Sequence, residues 1–438
     1  MNPQVLVLLL RPTAETKDVL ALPFVAFAAV SALVLTVIGG ARPFWAWTDA
    51  EAPIYHALAA IAIVLLVVPL VTLGGAAARL SARRRDERLS TLRLLGVSPG
   101  GVVVATVVES AIVAAAGAVA GVVVHLLASP LIGLIPFRGE APGAGAVLLP
   151  AASILGIVLA VVLLAAVSAV VGLRNVVISP LGVRTRAVTT TPHWIRAVLA
   201  VLALVAALIL ISVIPDAAEA LPTIIVLSIA FAVAFAVLNV IGPWALGVQA
   251  RRGLRRADRP AHLLAARTVL ESPKAAWRQV SGIAMASFIA VFAGSAVAAL
   301  EVMGNGSDVD LALAADIRTG VTITLIASFL MVATSVGVNQ AAEILDRQEL
   351  HRSLHRLGMP VDTVDGARRR AIMSPLLLTA VGSALCAGAL IFPLLGIALV
   401  TAPVSLITIA AVVSVGIGIV WLSTRATRPI LQRAFVAA

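Results

Sequence analysis

Long apolar stretches constrain this chain more than any other feature of its sequence. A membrane-spanning helix needs about 20 apolar residues, and ten stretches of suitable length follow one another along the chain. They lie at 19–40, 54–78, 101–127, 146–172, 197–214, 221–247, 279–300, 319–341, 371–395 and 400–422. Only 12% of the residues are charged, too few to cover a water-soluble globule. The sequence therefore predicts an all-α, polytopic membrane protein with ten transmembrane helices.

The distribution of basic residues predicts the orientation of the chain. The connections at 41–53, 128–145, 215–220, 301–318 and 396–399 hold nine acidic residues and three basic ones, Arg42, Arg138 and Arg318. The rest of the 32 Lys and Arg residues lie in the alternate connections and at the termini. Because basic segments stay in the cytoplasm, both termini are predicted to be cytoplasmic, in the plasma membrane of a bacterium. The net charge of +11 is the result of this bias, with anionic headgroups of the lipid bilayer as its expected partner, and no soluble basic domain is expected to bind nucleic acid.

A charged segment occurs twice, 262 positions apart. Residues 83–98 (RRRDERLSTLRLLGVS) match residues 345–360 (LDRQELHRSLHRLGMP) in carrying one Glu and the pattern L-x-x-L-G at the same places. The leucines recur at near-helical spacing, which predicts an amphipathic helix, and the Gly is typical of a helix end. We call residues 79–96 and 342–358 the first and second repeat segments. Each is predicted to join two spans on the cytoplasmic side.

The repetition extends beyond these segments. Pro12 and Pro273 lie 261 positions apart in short amphipathic stretches that precede the first and seventh spans. Each half ends in a basic exit that contains Pro, at 172–181 and at 423–431. The predicted domains are a four-span unit at 1–190, two spacer helices at 191–250 and a second four-span unit at 251–438. Six spans separate the starts of the two units, so both units have the same orientation.

The third apolar stretch carries two further signals. Gly117 and Gly121 form G-x-x-x-G, a spacing that lets two helix backbones approach closely in lipid. Glu109 is the only formally charged residue within the ten stretches. It lies near the cytoplasmic end, where Arg93 or Arg174 could pair with it, and a proton-coupling role is the alternative.

No catalytic, cofactor or metal site is expected on this chain. A P-loop needs G-x-x-x-x-G-K-[ST], and neither of the two lysines, Lys17 and Lys274, lies in such a motif. His351 and His355 are four residues apart, but no third ligand follows at a metal-binding spacing. ATP and Mg, if they drive this protein, are expected on a separate subunit.

The repeated motifs resemble the FtsX-like permease domain of the mechanotransmitting, or type VII, ABC transporters. The first copy carries Arg84, Glu87, Arg88, Leu92, Leu95 and Gly96 in the charged helix, then Glu109, Gly117 and Gly121 in the next span, then Pro180 and Arg184 at the exit. The second copy keeps Glu349, Leu350, Leu354, Leu357, Gly358 and Pro429, with Ala371 in place of the span Glu. The resemblance implies two four-helix FtsX-like halves joined by two spacer helices.

The resemblance also implies a function. The chain is similar to the ten-span permeases of antimicrobial-peptide detoxification, which implies a permease driven by a cytoplasmic ABC ATPase dimer, with one permease chain per complex. Its expected cargo is an amphiphilic or lipophilic compound or an antimicrobial peptide. Those permeases carry a large extracellular domain between spans seven and eight, whereas this connection is only 301–318. The alternatives are a non-transporting signal transmitter of the FtsX type and a proton-coupled secondary transporter.

Overall fold

Helices make up nearly all the regular structure of the chain. The computed structural model describes residues 14–49, 51–56, 58–60, 62–63, 66, 73–74, 99–178, 220–303, 308–390 and 403–436. These residues are about 89% helical and form no strand, which confirms the all-α prediction for this part of the chain. The fifth apolar stretch and the first repeat segment, with Arg84, Glu87, Arg88, Leu92, Leu95 and Gly96, lie outside the described residues.

Seven helices within the described residues are long and apolar enough to cross a membrane. Their apolar parts are Ala21–Trp45, Val103–Ile132, Ala151–Val170, Pro273–Ser295, Ala312–Leu345, Val361–Leu390 and Ala410–Gln432. They correspond to the first, third, fourth and last four predicted stretches. The sixth stretch lies within a helix at Ala220–Arg255, and most of the second lies outside the described residues. The chain is therefore a multi-pass membrane protein, and ten spans stay a prediction.

The helices of the described residues are numbered here in chain order. They are α1 (Ala14–Trp45), α2 (Pro99–Ile132), α3 (Ala144–Val147), α4 (Ala151–Ile178), α5 (Ala220–Arg255), α6 (Pro260–Glu271), α7 (Pro273–Met303), α8 (Asp308–Asp346), α9 (Gln348–Arg356), α10 (Val361–Leu390), α11 (Pro403–Ala426) and α12 (Arg428–Val436). Two compact units divide the chain: unit 1 is Met1–Arg186 with Ala333–Glu349, and unit 2 is Ala187–Val332 with Leu350–Ala438. The three-part division at 190 and 250 stays a prediction.

The core of unit 1 is the contact between α1 and α2. Gly117 and Gly121 of α2 face the backbone of α1, and a Cβ atom at Gly121 would lie 2.7 Å from the carbonyl oxygen of Ala28. A Cβ atom at Gly117 would lie 2.8 Å from the carbonyl oxygen of Phe24. Only residues without a side chain allow this approach. The loosely similar Gly382 of α10 has no such neighbour, since nothing described lies within 4 Å of its Cβ position.

Unit 2 is built around α7. Its apolar part is 67% buried, compared with 17% for that of α4 in unit 1. Phe288 of α7 packs with Ala387 and Leu390 of α10, and all three are buried. A helix that is apolar on all sides and buried on most of them lies inside a bundle, whereas α4 leaves its apolar side chains to lipid.

Two local features of unit 2 follow from its sequence. Ser272 separates α6 from α7 and accepts the backbone N–H of Ala275 at 3.3 Å on its Oγ, so Pro273 starts a new helix. The ring of Trp277 is buried over Gly242, and its Nε1 donates to Asn239 Oδ1 at 3.1 Å. Trp277 is therefore a packing residue.

Candidate functional site

The second repeat segment consists of two helical pieces. Helix α8 continues from the eighth apolar stretch to Asp346, and α9 starts at Gln348 after a break at Arg347. Arg347 forms an ion pair with Glu343 one turn earlier, at 3.4 Å. The predicted single helix over 342–358 is therefore the end of a long helix followed by the short helix α9.

Gly358 ends α9 in the way that its sequence predicts. Its φ of 80° lies in the left-handed region, which glycine adopts without a steric penalty. The N–H of Gly358 donates to the carbonyl of His355 at 2.8 Å, and the N–H of Met359 donates to the carbonyl of Leu354 at 3.0 Å. These two bonds form a Schellman motif, which satisfies carbonyl groups that the last helical turn would otherwise leave unpaired.

One edge of α9 packs against the C-terminal helix α12. The ring of His351 stacks on Phe435 with centroids 5.7 Å apart, and His355 meets the same ring edge-on at 5.6 Å. His351 and Phe435 are both buried. Within the described residues, no group of three His, Cys, Asp or Glu side chains converges as a metal site would require. The two histidines hold α9 on α12 by aromatic contact.

The other edge of α9 is exposed. Leu350 is 50% exposed and Leu357 is 82% exposed. Glu349 is also exposed, and Leu354 is half-buried. The repeat motif therefore divides between two faces: His351 is buried against Phe435, whereas Leu350 and Leu357 are exposed.

A buried ion pair fixes the ends of the helices next to α9. Arg368 of α10 donates to Asp365 Oδ1 at 2.8 Å and to the carbonyl of Thr424 at 3.1 Å. It also donates to Thr427 Oγ1, at the junction of α11 and α12. A buried ion pair is tolerated when further hydrogen bonds satisfy its remaining donors and acceptors. Arg368 therefore joins α10 to the start of α12.

Charged contacts continue around this ion pair. Arg428 at the start of α12 donates to Asp362 of α10 at 2.7 Å. Arg425 of α11 lies over the ring of Trp421, with Cζ 3.9 Å from the ring centroid, and Arg369 of α10 lies 5.6 Å from the same centroid. We call these residues the Arg368 cluster: Asp362, Asp365, Arg368, Arg369, Trp421, Thr424, Arg425, Thr427 and Arg428.

Unit 1 contains a second cluster of charged and aromatic residues. Arg138 forms ion pairs with Asp49 at 2.5 Å and Glu51 at 3.7 Å. Its Cζ lies 4.2 Å from the ring centroid of Trp47 and 4.3 Å from that of Tyr55. The hydrogen bond from Arg138 lowers the pKa of Asp49 and raises that of the guanidinium. We call these five residues the Arg138 cluster, which lies in connections predicted to be extracellular.

The remaining predicted site residues lie on α2. Glu109 is half-buried, next to the buried Ser110. Arg93 and the side chain of Arg174 lie outside the described parts of the chain, so the role of Glu109 stays a prediction. Sequence reasoning missed His125, which is fully buried near Gly39 with its Nδ1 3.5 Å from Thr36 Oγ1. Its position in an apolar stretch was the available signal.

Comparisons with protein-family models, with curated proteins and with solved structures find no match. The FtsX-like resemblance therefore depends on the motifs in the sequence alone.

Proposed function

We propose that this chain is the permease subunit of an ATP-driven transporter in a bacterial plasma membrane, and that a separate ATPase dimer binds its two repeat segments. Its cargo is an amphiphilic or lipophilic compound or an antimicrobial peptide. In this proposal the ATPase moves the repeat segments when it binds and hydrolyses ATP, and the attached helices carry the movement into the membrane.

The exposed leucine edge of α9 carries this proposal. Leu350 and Leu357 lie between two candidate spans, outside the apolar parts of both. Exposed apolar side chains that form a continuous edge mark surfaces that bind a partner. A short amphipathic helix that presents leucines can lie in an apolar groove of that partner. Glu349, exposed on the same helix, adds a charge that can fix the register of the contact.

The connections of α9 support a role in transmitting force. His351 and His355 hold α9 on Phe435 of α12. Helix α12 is in turn tied to α10 through Arg428 and Asp362, and its start is tied through Thr427 and Arg368. A displacement of α9 would therefore reach two candidate spans, α10 and α11, through direct contacts.

The experiment compares two exposed leucines of unit 2. The full chain is purified with a co-expressed ATPase, and ATP hydrolysis is measured for the wild type, Leu357→Ser and Leu385→Ser. Leu385 is similarly exposed but lies within the apolar part of α10. The proposal predicts that Leu357→Ser reduces ATPase binding and cargo-stimulated hydrolysis, whereas Leu385→Ser leaves ATPase binding unchanged. Equal ATPase binding by all three chains would contradict the proposal.

A further inference from the structure

Arg369, Trp421 and Arg425 form an unusual contact within the Arg368 cluster. Two guanidinium groups from different helices approach one indole ring. A guanidinium that lies over an aromatic ring uses its face for the contact and keeps its in-plane N–H groups for hydrogen bonds. These N–H groups can therefore still bind an anion.

The local acids do not balance the local bases. Within the Arg368 cluster and the adjoining Arg370, five guanidinium groups meet two carboxylates. Asp365 forms an ion pair with Arg368 at 2.8 Å, and Arg369 lies farther from it, at 3.9 Å. Asp362 forms an ion pair with Arg428. Among the described residues, Arg425 has no carboxylate within ion-pair distance. Positive charge is left over at Arg369 and Arg425.

Arg369, one of these two arginines, also carries a buried donor. The Nε–H of Arg369 is buried and has no hydrogen-bond partner among the described residues. A buried donor without an acceptor is energetically costly. An anion held next to the two guanidinium groups would offset this cost electrostatically.

The position of the cluster relative to the apolar segments indicates which anion can bind. Arg369 lies in the first third of the apolar part of α10, and Trp421 and Arg425 lie in the last two turns of helix α11. Indole rings anchor helices at the membrane surface, and the exposed Leu422 lies beside Trp421. The acceptor available at this depth is the phosphate of a lipid headgroup, which a guanidinium binds through two parallel hydrogen bonds.

We propose that Arg369, Trp421 and Arg425 form a binding site for one anionic phospholipid in the leaflet that the basic segments face. The two guanidinium groups bind the headgroup phosphate, Trp421 holds both groups in position, and an acyl chain lies along Leu422. This proposal depends on the geometry of unit 2 and not on the proposed transport function.

The test is native mass spectrometry of the full chain, with phosphatidylglycerol or phosphatidylcholine added. Basic residues near the membrane surface each contribute roughly fivefold to the binding of anionic lipid. The variant R369Q/R425Q should therefore bind phosphatidylglycerol at least about tenfold more weakly. The control R251Q/R252Q removes two exposed arginines of α5 and should bind as the wild type does.

A second variant keeps the positive charge at position 425, which is exposed. R425K retains the positive charge but loses the planar donor pair, so it should also bind phosphatidylglycerol more weakly. Equal losses in R369Q/R425Q and R251Q/R252Q would mean that bulk attraction alone holds the lipid, and would overturn the proposal. Equal binding of phosphatidylcholine would also overturn it. Competition by millimolar inorganic phosphate would reassign the site to the free ion.

Discussion

The Arg138 cluster of unit 1 and the Arg368 cluster of unit 2 both contain guanidinium groups, carboxylates and aromatic rings, but the ratio of guanidinium groups to carboxylates is opposite in the two. In the first, one guanidinium meets two carboxylates, Asp49 and Glu51, and two aromatic rings. In the second, several guanidinium groups share two carboxylates and one indole ring. In the first cluster the carboxylates outnumber the guanidinium group, so no positive charge is left to bind an anion. The second leaves positive charge unbalanced, which is the property of a binding surface.

The two clusters also differ in burial. The side chain of Asp365 is 5% exposed, whereas that of Asp49 is 55% exposed. Water and salt screen an exposed ion pair, and such pairs contribute little to stability. A buried carboxylate that loses its partner has no such screening. Substitutions in the Arg368 cluster should therefore have the larger effects on folding.

The largest expected effect is that of Arg368→Met. It leaves the buried Asp365 without its closest partner, and breaking a buried pair costs about 3–5 kcal/mol. Thermal unfolding in detergent should show a large decrease in melting temperature, and Arg138→Met should show a smaller one. The double variant Asp365→Leu/Arg368→Met should recover much of the loss. Equal decreases for Arg368→Met and Arg138→Met would remove the distinction between the clusters.

The next effect concerns the two repeat segments. Glu87 and Glu349 hold equivalent positions, so each should contact one ATPase protomer. A charge-assisted hydrogen bond contributes about 1.5–3 kcal/mol, so Glu87→Ala and Glu349→Ala should each weaken ATPase binding roughly 10- to 100-fold. The double variant should nearly abolish ATP-driven transport. Asp258→Ala, which removes an exposed carboxylate before α6, is the control. Normal ATPase binding by the double variant would make the repeat segments simple connections.

A third prediction extends the comparison of the units from charge to packing. Gly121→Ala places a methyl group against the backbone of α1, whereas Gly382→Ala places one in open space. Overpacking costs about 1–3 kcal/mol, so Gly121→Ala should lower the melting temperature. Gly382→Ala should leave it unchanged or raise it slightly, because Ala favours a helix over Gly. The reverse order would contradict the described contact of α1 with α2.

The smallest effect is the pH dependence of the Arg138 cluster. Its hydrogen bond lowers the pKa of Asp49 below 3.8, so the pair stabilises the fold above that pH. The stabilisation is lost as pH falls through the lowered pKa. The difference in melting temperature between the wild type and Asp49→Asn should be constant well above pH 3.8 and shrink as the pH falls below 3.8.

The sequence predicted the local features of the fold and missed the long-range ones. The apolar stretches and the glycine at the end of α9 depend on nearby residues, so they could be read directly. The contact of His351 and His355 with Phe435 joins residues about 80 positions apart. It depends on how α9 and α12 pack, which periodicity does not specify.

The Arg368 cluster shows the same limit. A run of arginines at 368–370 is, by its sequence, typical of a solvated cytoplasmic segment. The structure separates the three: Arg368 is buried against Asp365, Arg369 lies near Trp421, and Arg370 contacts His262. Helix periodicity spreads consecutive residues over different faces, but the neighbours on those faces come from α6 and α11. Sequence reasoning therefore identified the exposed residues of α9 but did not identify the Arg368 cluster.

The most direct test of the central claim is the accessibility of position 357. Cys386 is the only cysteine of the chain, so Leu357→Cys in a Cys386→Ser background gives a single label site on α9. An impermeant maleimide should not label it in intact cells, should label it in inside-out vesicles stripped of the ATPase, and should label it weakly once the ATPase is restored. Labelling in intact cells, or equal labelling of the vesicles with and without the ATPase, would contradict a cytoplasmic ATPase-binding role for α9.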